Sequence, residues 1–219
     1  MSSNKRNPAV TRESILSAAH ALFSERGCDG TSLSDIARKA GINKSLIHHY
    51  FGSKEELHLE FLRRSFPVYA KRLAHYLRQV EAAEDKLVAG FKAYFRFMSE
   101  TPEYVRMGLW TSLFYGADPA RVDAARSRSR EDLDPDTAYV TGVGSQFVNA
   151  IEEAQKAGRI RPDLSADHIL AALWCLAEHW QESRALMGLR MGQDFLAAEA
   201  SERFENAAIE ILLRGALPR

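Results

Sequence analysis

Residues 30–57 read GTSLSDIARKAGINKSLIHHYFGSKEEL. Two short apolar stripes flank a glycine: Leu33, Ile36, Ala37 and Ala40 before Gly41, then Ile47 and Phe51 after it. Ser32 with Asp35 three positions on has the form of a capping box that opens the first helix, and Gly41 can take the left-handed conformation that ends it. Asn43 stands where the next helix needs a cap, and Ser53 with Glu56 repeats the capping-box pattern ahead of a longer helix. Two short helices joined by a turn of three or four residues containing glycine form the helix-turn-helix unit, whose second helix enters the major groove of DNA. Around that second helix Ile47 and Phe51 face inward, Ser45 and His49 point most directly away, and Leu46 and His48 lie on the flanks. Lys44 stands at the exposed start, where a recognition helix meets base edges.

The adjacent His48 and His49 raise the alternative of a metal or catalytic site. Neighbours on a helix diverge by about 100°, whereas metal-binding helices use positions i and i+4. The other histidines are scattered, no cysteine lies close, and no nucleophile falls at suggestive spacing from a base and an acid. No metal, cofactor or catalytic residue is expected, so the chain does not read as an enzyme. The mix of Lys, Ser and His suits phosphates and base edges; the plainer alternative is a solvated helix face.

Outward from this stretch the pattern stays helical. Ile15, Ala18, Ala19, Leu22 and Phe23 follow helical spacing, with Thr11 the expected cap and Gly27 the stop. Pro67 should kink or end the fourth helix. Further helices are expected over Asp85 to Ser99, Pro102 to Tyr115, Asp136 to Lys156, Ala166 to Leu189 and Phe195 to Leu213, with the polar stretch 126–134 as a loop or frayed helix. The expected fold is all-α, an N-terminal three-helix helix-turn-helix domain over residues 1–52 joined to a larger helical domain over residues 53–219.

Composition agrees with a soluble protein: 46% of the 219 residues are hydrophobic and 26% charged. The longest apolar run, Ile169 to Ala177, is far short of the roughly 20 residues that a membrane span requires. Cys28 and Cys175 lie far apart and form no framework, which fits a cytoplasmic protein. Residues 1–64 carry ten Lys and Arg against seven Asp and Glu in a chain of zero net charge, a mild basic bias suited to nucleic acid.

The same stretch resembles the N-terminal signature of the TetR (tetracycline repressor) family of bacterial transcriptional regulators. Gly27, Thr31, Ile36, Ala37, Ala40, Gly41, Tyr50, Phe51, Lys54 and Leu57 carry the likeness. It implies that Ser32, Ser34, Lys44, Ser45, Leu46, His48, His49, Tyr50 and Lys54 touch double-stranded DNA. His48 departs from the Tyr found in many relatives. Lys5, Arg6 and Arg12 are candidates for an arm on the DNA backbone or minor groove. The likeness also implies that the larger domain binds a ligand and dimerises, so that a homodimer meets a palindromic operator and a small-molecule effector releases it. A constitutive DNA-binding or protein-recruiting factor of the same fold, with no small-molecule effector, is the alternative.

For the effector, Phe91, Tyr94, Phe95 and Met98 make one aromatic-rich face and Met107, Trp110 and Phe114, with Tyr115, a second; Trp174 is added on a later helix. Such stripes also serve simply as core. A lipophilic or aromatic ligand is expected, with a quaternary ammonium beside Glu152, Glu153 or Glu178 as the weaker choice. For the dimer, Ile169, Leu173, Leu176 and Trp180 form one stripe and Phe204, Ala208 and Ile211 another, with intrachain core as the competing reading. His179 is expected in the interface or core rather than on a ligand.

Overall fold

The computed structural model describes residues 7–80, 83, 85–116 and 135–211. Among these residues every regular element is a helix: α1 Pro8–Arg26, α2 Leu33–Ala40, α3 Lys44–Phe51, α4 Lys54–Arg78, α5 Lys86–Glu100, α6 Pro102–Tyr115, α7 Pro135–Lys156, α8 Ala166–Met191 and α9 Ala198–Ile209. The expected arm at Lys5 and Arg6, the loop at 126–134 and the end of the last helix beyond 211 lie outside the described residues.

Helix α1 starts earlier than Thr11. Asn7 caps it by accepting from the Ala9 amide, and Pro8 takes a first-turn position where its missing N–H is not needed. Thr11 is instead buried one turn in, its hydroxyl donating to the Asn7 carbonyl at 3.3 Å. Gly27 ends the helix with φ 71° and ψ 177°, a conformation essentially confined to glycine. The Trp110 ring lies against it, 2.8 Å from where a Cβ would stand.

The capping box of α2 closes in both directions between Ser32 and Asp35, and Gly41 ends α2 in the left-handed region at φ 64° and ψ 41°. Asn43 leads into α3 through extended backbone but makes no side-chain cap bond. Ser53 Oγ accepts from the Glu56 amide at 3.1 Å and so starts α4. Pro67 neither ends nor interrupts α4. It removes one backbone bond, yet Leu57, Phe61 and Ser65 before it and Ala70, Leu73, Ala74 and Leu77 after it are all buried, and that packing holds the helix on both sides.

The chain forms two compact units. The first runs to Val68 and takes in the chain again from Arg106; the second holds Tyr69–Val105 and the residues from 135 onward. This partition differs from one at residue 52 because α4 contributes to both units and most of α6 belongs with α1–α3. The first unit buries Ile15, Leu22, Phe23, Ile36, Ile47, Leu57 and Phe61. In the second, Leu87, Phe91, Ile151, Ile169 and Leu173 pack as one cluster and Leu77, Phe95, Phe97, Met98, Val143 and Ala177 as another. No described helix is long and apolar enough to cross a membrane.

Candidate nucleic-acid interface

Ile47 is fully buried beneath α3, and Lys44, Ser45, His48 and His49 are all exposed, with Leu46 and Tyr50 half-buried beside them. Less than two turns of helix therefore present an ammonium, a hydroxyl and two imidazoles to solvent, all acting from a backbone that Ile47 anchors. Phe51 is only half-buried, short of the inward placement expected for it, and the Arg12 guanidinium lies over its ring at 5.1 Å. Arg12 is thereby tied into the chain, and it also pairs with Glu60 at 2.9 Å. Burial alone would raise the pKa of the Glu60 carboxyl, but the bond from Arg12 and the charges of Arg12, Arg63 and Arg64 hold it below its ordinary value. Arg64 continues the network to Glu13 at 2.8 Å, so α1 and α4 are cross-braced beside α3.

The expected contacts at helix starts differ among themselves. Ser34 is exposed. Ser32 is exposed too, but its hydroxyl is bonded to Asp35 Oδ2 at 2.6 Å and receives the Asp35 amide. The Asp35 carboxyl is held below its usual range, first by Ser32 and then by Arg38, so an anion already occupies the start of α2. Lys54 Nζ donates to the Cys28 carbonyl at 3.0 Å, bridging the start of α4 to the turn after α1. Thr31, from the same motif, donates to the Gly27 carbonyl at 2.8 Å and fixes that turn from inside. A surface groove of about 410 Å³ at the α2–α3 turn is lined by Ala37, Arg38, Gly41, Ile42, Asn43 and Leu46.

The eight residues expected to line an effector pocket are divided between the two units. Met107, Trp110 and Phe114 belong to the first unit; Phe91, Tyr94, Phe95, Met98 and Trp174 belong to the second. Phe91, Phe95 and Met98 are core, none more than 3% exposed. Tyr94 is half-buried and donates to Glu178 Oε1 at 3.0 Å, while Trp174 lies 6.2 Å from the Tyr94 ring. Burial, followed by the Glu178 charge, raises the Tyr94 phenol well above its ordinary value and pushes Tyr104 up to about 12. Glu152 and Glu153 are exposed on α7. The stripes assigned to dimerisation also turn inward. Ile169, Leu173, Trp180 and Ala208 are buried by their own chain, with Trp180 stacked on Phe204 at 4.0 Å; Leu176 and Phe204 are half-buried, and Ile211 alone of the set is exposed. His179 is exposed on α8.

Comparison with known sequences places these features. Residues 15–61 match the profile described as "Bacterial regulatory proteins, tetR family", and residues 88–214 match "Tetracyclin repressor-like, C-terminal domain". The chain belongs to the TetR family. It is 25% identical over 200 residues to the HTH-type transcriptional repressor KstR2 of Mycolicibacterium smegmatis, an alignment covering 87% of this chain and 89% of that one. It is 26% identical over 225 residues to the HTH-type transcriptional regulator RutR of Escherichia coli strain K12, covering 98% and 95%. In fold it is similar to a transcriptional regulator from Saccharomonospora viridis in complex with choline, with a TM-score of 0.61 and 21% identity over 95% of this chain and 98% of the other. This TetR-family chain is thus a DNA-binding transcriptional regulator rather than an enzyme.

Two features of the regulator had no motif to announce them. His58 is 2% exposed inside the first unit, with Phe23, Phe61, Phe114 and Tyr115 rings 5.0–5.9 Å away. Burial, then the charge of Lys54, lowers its pKa to about 4, so the ring sits neutral. Its place in the stripe Leu57, His58, Phe61 was the available signal. The Glu60 network had only the one-turn spacing of Glu60 and Arg64 to announce it.

Proposed function

We propose that this regulator is a repressor that binds a palindromic operator as a homodimer and is released by a small lipophilic or aromatic effector, with residues 1–52 as the DNA-binding part. The observation that carries the reading is α3: Ile47 buried on one side, and Lys44, Ser45, His48 and His49 exposed on the other. Ser34, Leu46 and Tyr50 extend that surface, and Ser32 and Lys54 serve it by fixing the starts of α2 and α4. A dimer would set two such helices about 34–36 Å apart, one turn of duplex.

For the dimer we favour the open side of α7 and α8 over the buried stripes. A groove of about 410 Å³ there is lined by Gly144, Ser145, Val148, Asn149, Asp167, Leu170, Ala171 and Trp174. Near the end of α8, Leu186, Leu189 and Met191 are exposed, the kind of apolar surface that a partner covers. An effector acts only through unequal affinity for two arrangements of the chain; α4, shared by both units, is the element through which a shift would reach α3. The usual coupling of about 1–3 kcal/mol would weaken operator binding roughly 5- to 150-fold. The names of relatives suggest no single effector, since one neighbour was solved with choline and another, from Mycobacterium tuberculosis, is named a ketosteroid transcriptional regulator.

One observation favours a second reading, a constitutive factor without effector: Phe91, Phe95 and Met98 are packed into the core. Nuclease footprinting on the region upstream of the gene, across several salt concentrations, tests the proposal. A protected palindrome, weakened by salt and lost in Lys44→Ala and Tyr50→Ala, is expected. Absence of any sequence preference would remove the operator reading.

A further inference from the structure

We propose that His48 is a proton-linked phosphate contact, so that operator binding by this regulator strengthens as pH falls through the imidazole range. The inference rests on the DNA-binding reading of α3 and adds a regulation that this reading does not contain.

The geometry fixes the ring. His48 Nδ1 lies 2.9 Å from the Gly52 carbonyl oxygen, one helical turn on. A carbonyl only accepts, so Nδ1 carries a hydrogen in both charge states of the ring and the titrating nitrogen is Nε2. Neutral His48 therefore offers an acceptor through Nε2, which a phosphate oxygen cannot use. Charged His48 offers a donor there, which a phosphate oxygen takes as a charge-assisted bond. His48 and His49 occupy the last turn of α3, and Gly52 turns its own carbonyl onto the His48 ring.

Titratable groups stand on each of the surrounding elements. Arg12 on α1 pairs with Glu60, Arg38 on α2 with Asp35, and Lys54 at the start of α4 bonds the Cys28 carbonyl. Glu55 and Glu56 follow Lys54 in the first turn of α4, and Lys44 stands one turn before His48. His49 differs from its neighbour. Its ring meets the Tyr50 ring edge-on at 5.2 Å, and no carbonyl tether is described for it.

The test is fluorescence anisotropy between pH 6 and pH 8 at constant ionic strength, using a labelled duplex cut from the footprinted region. Wild type, His48→Gln and His49→Gln are compared, and nitrogen NMR reads the His48 tautomer in the free protein. The expected result is a wild-type affinity roughly three- to tenfold higher at pH 6 than at pH 8. His48→Gln should flatten that slope, His49→Gln should keep it, and the neutral ring should carry its proton on Nδ1. A slope that survives in His48→Gln, a flat wild-type profile, or a neutral ring protonated on Nε2 overturns the assignment. Failure of the operator reading is separate: no duplex would then be protected at any pH.

Discussion

The helix α3 and the helix α8 both carry stripes that a sequence reader can trace, and they differ in how far the stripe determines its use. In α3 a single fully buried side chain, Ile47, leaves four polar neighbours outside. In α8 the apolar residues wrap so much of the surface that Ile169, Leu170, Leu173, Ala177 and Trp180 are all consumed by packing within the chain. A helix with few apolar residues has one way to sit, so its outer face is known by subtraction. A helix apolar nearly all round can be buried by its own domain or by another chain, and periodicity alone does not choose.

The sharpest way to break this comparison is Trp180→Ala. Losing the stack on Phe204 from a buried site should cost about 3–5 kcal/mol in urea unfolding, while sedimentation of the folded variant matches wild type. A loss below about 1 kcal/mol combined with dissociation would return Trp180 to an interface. In the first unit Gly27→Ala should cost roughly 3 kcal/mol, since the residue would meet both a forbidden backbone and the Trp110 ring. A thermal midpoint unchanged from wild type would refute that account.

Next in size is an effect of acid on the first unit. His58 is held near pKa 4 in the fold and returns to an ordinary imidazole when unfolded, so the unfolded chain binds the extra proton first. Stability is then full above about pH 6.5 and falls as pH drops toward 4, by up to about 3 kcal/mol. Urea midpoints across that window should fall in wild type and stay flatter in His58→Phe. Smallest is Ser32→Ala, which opens the capping box of α2 for about 1 kcal/mol. Lys44→Ala closes the series from the opposite side, leaving stability within about 0.5 kcal/mol of wild type while weakening DNA binding.

Much of the first unit was legible because its signals are chemical and local. Ser32 with Asp35 and the glycines at 27 and 41 each do one thing that few residues can do, and each does it here. The misreadings were of a different kind. Thr11 lost the cap to Asn7 because Pro8 lets the helix begin a turn sooner, and Pro67 failed to end α4 because tertiary packing outweighs one missing bond. The aromatic faces of α5 and α6 were visible as faces, but which unit each would serve depends on contacts distant in sequence. The partners of Arg12, the Phe51 ring and Glu60, are likewise distant in sequence.

The three tryptophans are divided between the units in a way that makes the protein its own optical instrument. Trp110 lies against Gly27 in the first unit; Trp174 near Tyr94 and Trp180 on Phe204 belong to the second. A Trp110→Phe variant would emit from the second unit alone, and the difference from wild type isolates the first. Titrating either protein with candidate effectors would report which unit responds, without attaching any label.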